Sequence, residues 1–106
     1  MSEEEQMELA LAEETRQAQA ALTNWKERLR LLGYERLRDT YFDRPLEEFF
    51  HFEGTRYFVV TEACWDCKSG GDIRVFIELS DAMDGPPTVF LEEDIIVAPD
   101  GSLVGE

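Results

Sequence analysis

The spacing of apolar residues predicts one long helix in the first third of the chain. Apolar or small residues recur every three or four positions, as in one face of a helix, at Met7, Leu11, Thr15, Ala18, Leu22, Trp25, Leu29 and Leu32. Gly33 follows, where a glycine commonly ends a helix. We therefore expect a continuous helix over most of residues 5–32, roughly 45 Å long at 1.5 Å per residue.

The second half of the chain has the alternating pattern of β-strands. Arg74, Phe76 and Glu78 alternate with the apolar residues Ile73, Val75, Ile77 and Leu79. Residues 56–63, 88–91 and 94–98 are further strand candidates, and Pro99, Asp100 and Gly101 are typical of a hairpin turn. This order predicts an α+β two-layer fold, in which the long N-terminal helix packs on an antiparallel sheet of about three to five strands. The residues expected to pack against the apolar face of residues 73–79 are Leu22, Trp25, Leu29 and Leu32.

The segment between the helix and these strands leaves alternatives open. Residues 34–40 could form a short second helix. Asp43, Arg44 and Pro45 resemble an N-cap and a first-turn proline. They would begin another helix, through Leu46, Phe49 and Phe50. Alternatively, residues 49–52 are already the first strand, which then turns at residues 53–55. In either case we expect residues 1–106 to form a single domain.

The predicted helix is longer than any sheet that this chain can make. A strand of eight residues covers only about 27 Å, so the N-terminal half of the helix extends beyond the sheet. This extension could fray at residues 1–6, act as a docking element, or pack on a second copy of the chain. The last interpretation predicts a homodimer through the N-terminal helix, with the small residues Thr15 and Ala18 in a thin interface.

The charge of the chain restricts the kinds of partner that it can have. There are 24 Asp and Glu against 10 Lys and Arg, a net charge of −14, whereas a small soluble domain usually carries about 2 to 8 units. No Lys or Arg precedes Arg16 or follows Arg74. Such a field repels nucleic acid and anionic membranes and attracts basic surfaces. Residues 15–44 carry a small positive excess, and we expect the arginines within residues 28–38 to pair internally with the acidic strands.

Glu92, Glu93 and Asp94 are the strongest candidates for a partner-binding surface. They are consecutive acids in a strand-like stretch, where propensity disfavours them. Protection of a sheet edge from aggregation is the structural alternative. Asp81 and Asp84 lie in the same stretch without a base and are the next candidates.

This distribution of charge predicts a small acidic protein, without enzymatic activity, that docks a basic protein surface. Inhibitors, immunity proteins and DNA mimics belong to this class, because they hold dense carboxylates on a rigid scaffold. A homo-oligomeric domain whose charge only keeps it in solution is a further interpretation.

Two cysteines provide the alternative of a zinc- or thiol-using module. Cys64 and Cys67, followed by Gly70 and Gly71, resemble a zinc knuckle. A structural zinc site needs four ligands. The chain's single histidine, His51, is a possible third ligand, and a second chain could donate its own cysteines. A redox site needs a helix that begins at the first cysteine, and here a strand follows. We therefore expect two ordinary thiols, no cofactor and less than one zinc per chain.

Other catalytic patterns are missing from the sequence. It contains no P-loop, no dinucleotide-binding glycine pattern, no G-x-S-x-G and no H-E-x-x-H. Its apolar runs are too short to span a bilayer, and the acidic N-terminus is unlike a secretory signal. We therefore expect a cytoplasmic protein that binds no membrane and no nucleic acid directly.

Overall fold

The described part of the chain folds into a helical layer and a sheet layer. The computed structural model describes residues 3–81 and 86–105. In chain order the elements are α1 (Glu3–Leu32), α2 (Tyr34–Tyr41), β1 (Leu46–Phe52), β2 (Thr55–Trp65), β3 (Ile73–Ser80) and β4 (Phe90–Val97). The strands form one antiparallel sheet in the order β1-β2-β3-β4, and both helices pack on the same face of it. The predicted α+β two-layer fold is confirmed.

The core lies between one side of α1 and the inner face of the sheet. Leu22, Trp25 and Leu29 are buried as predicted, and Leu32 is partly buried. They belong to one cluster with the apolar positions of β3, which are Ile73, Val75, Ile77 and Leu79. The apolar faces predicted for the helix and for this strand are therefore the faces that meet.

Trp25 joins α1 to the centre of the sheet by a polar contact as well as by packing. Its indole Nε1 donates a hydrogen bond to Oγ1 of Thr61 on β2, at 3.1 Å. Its ring lies 5.1 Å from the ring of Phe50 on β1, measured between centroids. Because Trp25 and Thr61 are both buried, each satisfies a polar group that water cannot reach. This pair fixes the position of the helix on the sheet.

The N-terminal part of α1 extends past the sheet, as its length predicted. Gln17 Nε2 donates to the backbone oxygen of Glu53, at 3.4 Å, which places Gln17 beside the β1–β2 turn. Before this point residues 12–16 are exposed, and Leu9 is 60% exposed. Among the described residues, neither α1 nor any other helix is apolar over a length that would cross a lipid bilayer.

The surface predicted for a homodimer is smaller than expected. Ala18 is fully buried in the chain's own core, so it is not available to a second copy. Thr15 is exposed. Met7 and Leu11, the outermost positions of the predicted apolar stripe, lie outside the described side chains. The homodimer stays a prediction.

The segment after α1 forms a short helix and then the first strand. The short second helix forms as α2. Of the two alternatives for the residues after it, the strand predicted over residues 49–52 is correct, and it begins earlier, at Leu46. No helix begins at residues 43–45, because residues 46–52 pair with β2 as strand β1. This pairing buries Phe50 in the core. Glu53 and Gly54, both with positive φ, then form the two-residue turn of the β1–β2 hairpin.

β4 is a single strand where the sequence predicted two shorter ones. It runs without a break through its three consecutive acids, from Phe90 to Val97. The turn predicted at residues 99–101 follows it. There the Asp100 carboxylate accepts hydrogen bonds from the backbone N–H and the hydroxyl of Ser102, and these bonds hold the pKa of Asp100 below its usual range. Leu103 then forms a bridge with Val97.

Replacing Trp25 tests the attachment of the helix to the sheet. Trp25→Ala removes a buried ring and leaves the Thr61 hydroxyl without its donor. We expect the free energy of unfolding to fall by about 3–5 kcal/mol. Leu31, which is 78% exposed, provides the control, because Leu31→Ala should change stability by less than about 0.5 kcal/mol. Denaturant unfolding measures both, and a loss below about 1 kcal/mol for Trp25→Ala would contradict this core.

Tyr41 gives the fold a dependence on alkaline pH. Burial, and then the nearby charge of Glu48, raise the pKa of Tyr41 to about 12. Its hydroxyl donates to Oε2 of Glu48 at 3.1 Å. In the unfolded chain tyrosine ionises near pH 10. The neutral hydroxyl of Tyr41 therefore stabilises the fold fully below about pH 10. This stabilisation is lost as the pH rises toward 12.

Denaturant unfolding between about pH 9 and pH 11 measures this effect. We expect the wild-type chain to lose more stability over that interval than Tyr41→Phe, which has no group to ionise at this position. Equal losses in the two proteins would show that Tyr41 does not carry the effect.

Candidate docking surface

The face of the sheet opposite the helices carries the candidate site. Side chains alternate along a strand, so every second residue points away from the core. We call this surface the open face. Its residues include Glu47 and Phe49 from β1, Arg56, Phe58, Val60 and Glu62 from β2, Arg74, Phe76 and Glu78 from β3, and Phe90, Glu92 and Asp94 from β4.

The open face exposes several large aromatic rings to solvent. Phe49, Phe76 and Phe90 are 48%, 44% and 50% exposed. The rings of Phe49 and Phe58 pack together, with centroids 5.8 Å apart. Single exposed apolar residues are normal, but several on one face indicate an interaction surface. The open face therefore offers apolar area that a partner could bury.

Four glutamates cross the open face in a row, one from each strand. In the strand register Glu78 lies directly opposite Glu92, Glu62 lies opposite Phe76, and Glu47 lies opposite Val60. Each acid is thus a direct or a diagonal cross-strand neighbour of the next, and their Cβ atoms are about 5 to 8 Å apart. We call Glu47, Glu62, Glu78 and Glu92 the acidic band.

The described bases leave the acidic band without ion-pair partners. The guanidinium of Arg56 lies over the ring of Phe49, 4.5 Å from its centroid. Arg74 pairs with Asp66 at 2.8 Å and also with Asp94. Hydrogen bonds to Asp66 and then to Asp94 raise the pKa of Arg74. Within residues 3–81 and 86–105, no Lys or Arg pairs with a carboxylate of the acidic band.

Two shallow hollows flank the ring of Phe76. One, of about 310 Å³, lies on the β4 side and is lined by Glu78, Glu92 and Asp94. The other, of about 430 Å³, lies on the β2 side and is lined by Val60, Glu62 and Glu78. Phe76 and Glu78 line both hollows. The open face thus combines an exposed aromatic ring with carboxylates on both of its sides.

The structure separates the three consecutive acids that the sequence grouped. Glu92 and Asp94 belong to the open face, whereas Glu93 belongs to the helix-facing side of β4 and pairs with Lys26 of α1 at 2.6 Å. Asp94 is already paired with Arg74. Of these three acids, only Glu92 lies on the open face without an ion pair among the described residues. Glu93 therefore does not share the open face with Glu92 and Asp94, and a role of these acids in partner binding stays a prediction.

Asp81, a further predicted binding residue, has a structural role. Its Oδ1 accepts the backbone N–H groups of Thr88 and Val89, at 2.9 and 3.1 Å, and so holds the end of the β3–β4 loop. Asp84 lies outside the described residues.

Most residues of the open face were not predicted from the sequence as a binding surface. The alternation in β3 did place Phe76 and Glu78 opposite the apolar positions of that strand. That signal could have marked them as surface residues. Their alignment with Glu62 and Glu92 depends on the register of two hairpins, and a pattern in one strand does not determine that register.

Among the described residues, the arginines within residues 28–38 form no ion pair with an acid of the strands, which corrects the expected internal pairing. Arg30 pairs with Glu27 at 3.7 Å, within α1. Arg28 lies over the ring of Trp25, 5.4 Å from its centroid. Within residues 15–44, Lys26 is the described residue that pairs with a strand acid.

The cysteines and His51 lie at opposite ends of the sheet. Cys64 lies near the end of β2, and Cys67 is exposed in the loop that follows. His51 pairs with Arg56 near the other end of β2, about 26 Å from Cys64 at 3.3 Å per residue. His51 is therefore too far away to share a metal ion with the cysteines of its own chain. Across the described residues, no three His, Cys, Asp or Glu side chains group as metal ligands, and a zinc site between two chains stays a prediction.

Comparison with known proteins does not assign a function. No protein-family model, no curated protein and no solved structure matches the chain. The geometry and the charge of the open face are the features that indicate its function.

Removing one carboxylate from the acidic band should stabilise the protein. Glu78 and Glu92 are directly opposite, and like charges in that position destabilise a sheet. We expect Glu78→Gln to raise the free energy of unfolding by about 0.2–1 kcal/mol at low salt, and by less at high salt. Glu14→Gln on the exposed part of α1 is the control and should show little change. A Glu78→Gln protein less stable than the wild type would contradict the proposed repulsion.

Proposed function

We propose that this protein is a small acidic binding module, without enzymatic activity, whose open face docks a basic surface of another protein. The observation that carries this proposal is the acidic band beside the exposed ring of Phe76, with no neutralising base in the described chain. The aromatic rings supply apolar area for the centre of an interface. The carboxylates supply complementary charge, which guides association and selects the partner.

The charge of the open face favours a basic protein over other occupants. Two copies of the chain, joined face to face, would bring two acidic bands together, and such like-charge contacts cost several kcal/mol. Nucleic acids and anionic membranes are repelled by a chain with a net charge of −14. A basic protein surface has the opposite charge, and nucleic-acid-binding proteins present such surfaces. An inhibitor or DNA-mimic role is therefore the form of binding that we favour.

The sheet supports this proposal because it holds the carboxylates on a rigid frame. Each member of the acidic band is part of a different strand, and the strands are hydrogen-bonded in one continuous sheet. Groups that are already in place lose less conformational entropy when a partner binds. The open face needs no rearrangement of its backbone to present its charges.

We place this activity in the cytoplasm, and we assign it to binding instead of catalysis. Both cysteines are free thiols, which is usual for cytoplasmic proteins. The single histidine, His51, is exposed and lies opposite Arg56 next to the β1–β2 turn. It is four residues from Glu47 along β1, about 13 Å, too far for acid–base chemistry shared with the acidic band.

Two variants with the same net charge separate the open face from the overall field. The first combines Glu62→Gln, Glu78→Gln and Glu92→Gln. The second, its control, changes three exposed acids of the helices, Glu3, Glu14 and Glu35, to Gln. The immobilised wild-type chain captures its basic partner from a host extract. The purified partner is then used to measure association rates with all three proteins.

We expect the open-face variant to associate about tenfold or more slowly than the control variant, because local charges focus the field at the docking site. The wild-type rate should fall steeply between low and physiological salt, where the Debye length is about 8 Å. Equal slowing of both variants would show that only the net charge matters. An unchanged rate for the open-face variant, or binding of DNA by the wild-type chain at physiological salt, would contradict the proposal.

A further inference from the structure

Among the described side chains, each aromatic ring that has a cation over it has an arginine. The guanidinium of Arg56 covers Phe49 at 4.5 Å from the ring centroid. Arg28 covers Phe50 at 5.2 Å, and Arg38 lies 5.9 Å from the centroid of Tyr34. Among the described side chains, no Lys or Arg lies over Phe76. In the part of the chain that the structure describes, the central ring of the open face thus has no cation over it, whereas Phe49 on the same face has one.

The surroundings of Phe76 suit a planar cation. Glu62 lies directly opposite it on β2 and Asp94 directly opposite on β4. Glu78 follows it on the same face of β3 and lines both hollows beside the ring. Asp94 is already held by Arg74, whereas the carboxylates of Glu62 and Glu78 have no ion pair within the described residues. An incoming cation therefore meets an aromatic ring and unpaired carboxylates at one position.

We propose that the partner presents an arginine side chain that stacks on the ring of Phe76 and donates hydrogen bonds to Glu78. This inference rests on the proposed function and names the side chain that the open face recognises. A guanidinium can lie flat on a ring while its edge donates two parallel hydrogen bonds to a carboxylate. The ammonium group of lysine is compact and strongly hydrated, so it gains less from the ring.

Two synthetic peptides of equal charge, hexa-arginine and hexa-lysine, test this preference. Fluorescence anisotropy at physiological salt measures the affinity of each labelled peptide. Amide chemical shifts show where each one binds. We expect hexa-arginine to bind about two- to fivefold more tightly, the size of an exposed cation–π contact. The largest shifts should lie near Val60, Phe76 and Glu92.

Variants of the ring separate stacking from charge. Phe76→Ala and Phe76→Leu should both bring the affinity ratio of the two peptides to about one, and Phe76→Leu keeps apolar area so that the face stays intact. Phe49→Ala is the matched control, because that ring is equally exposed but is already covered by Arg56. It should keep the preference for arginine.

The possible results distinguish this inference from the proposed function. Equal affinity of both peptides for the wild-type open face would overturn the arginine inference and leave the proposed function standing. A preference for arginine that survives in both Phe76 variants would overturn it as well. Shifts confined to α1, or no binding of either peptide, would contradict both the inference and the docking surface on which it rests.

Discussion

The two helices of this fold can cover only one face of its four-stranded sheet. Trp25 and its hydrogen bond to Thr61 hold α1 on the inner face, and α2 packs beside it on β2. The chain has no further element in its described residues to cover the other side. The open face must therefore be compatible with water in the unbound protein, and its carboxylates provide that compatibility between the exposed rings.

The same arrangement determines which charges remain available to a partner. Lys26 neutralises Glu93 on the helix side, and Arg74 neutralises Asp94 near one end of the open face. These pairs let β4 continue through its acids as an ordinary strand. The acidic band has no such partners, and its opposed pair Glu78 and Glu92 destabilises the unbound sheet. A basic partner would remove this repulsion on binding. The charges that destabilise the unbound sheet would therefore favour formation of the complex.

The sequence allowed the layers of the fold to be predicted, but not the surface. The helical repeat from Ala18 to Leu32 and the alternation in β3 are strong local signals, and both were correct. The local pattern of residues 43–50 also indicated a helix, but residues 46–52 form strand β1 because they pair with β2. Glu92 to Asp94 were treated as one group because they are consecutive acids in a stretch without a base. Read as one strand, the same alternation would have placed Glu93 on the helix side.

The composition of the open face depends on contacts between strands. Phe76 and Glu62 are 14 positions apart in the sequence, yet the register places them directly opposite each other. A loop of seven residues, 66–72, lies between their strands, and no local pattern determines how it closes. The charge of the chain indicated a basic partner, but only the register shows which acids stand together.

The central claim is that the open face, and not the helical side, contacts the partner. Carbodiimide labelling of carboxylates, read by mass spectrometry with and without the bound partner, tests it directly. We predict that Glu62, Glu78 and Glu92 react in the unbound protein and become protected in the complex, while Glu14 and Glu35 on the helices react equally in both. Protection of the helix carboxylates with continued labelling of the acidic band would contradict this account.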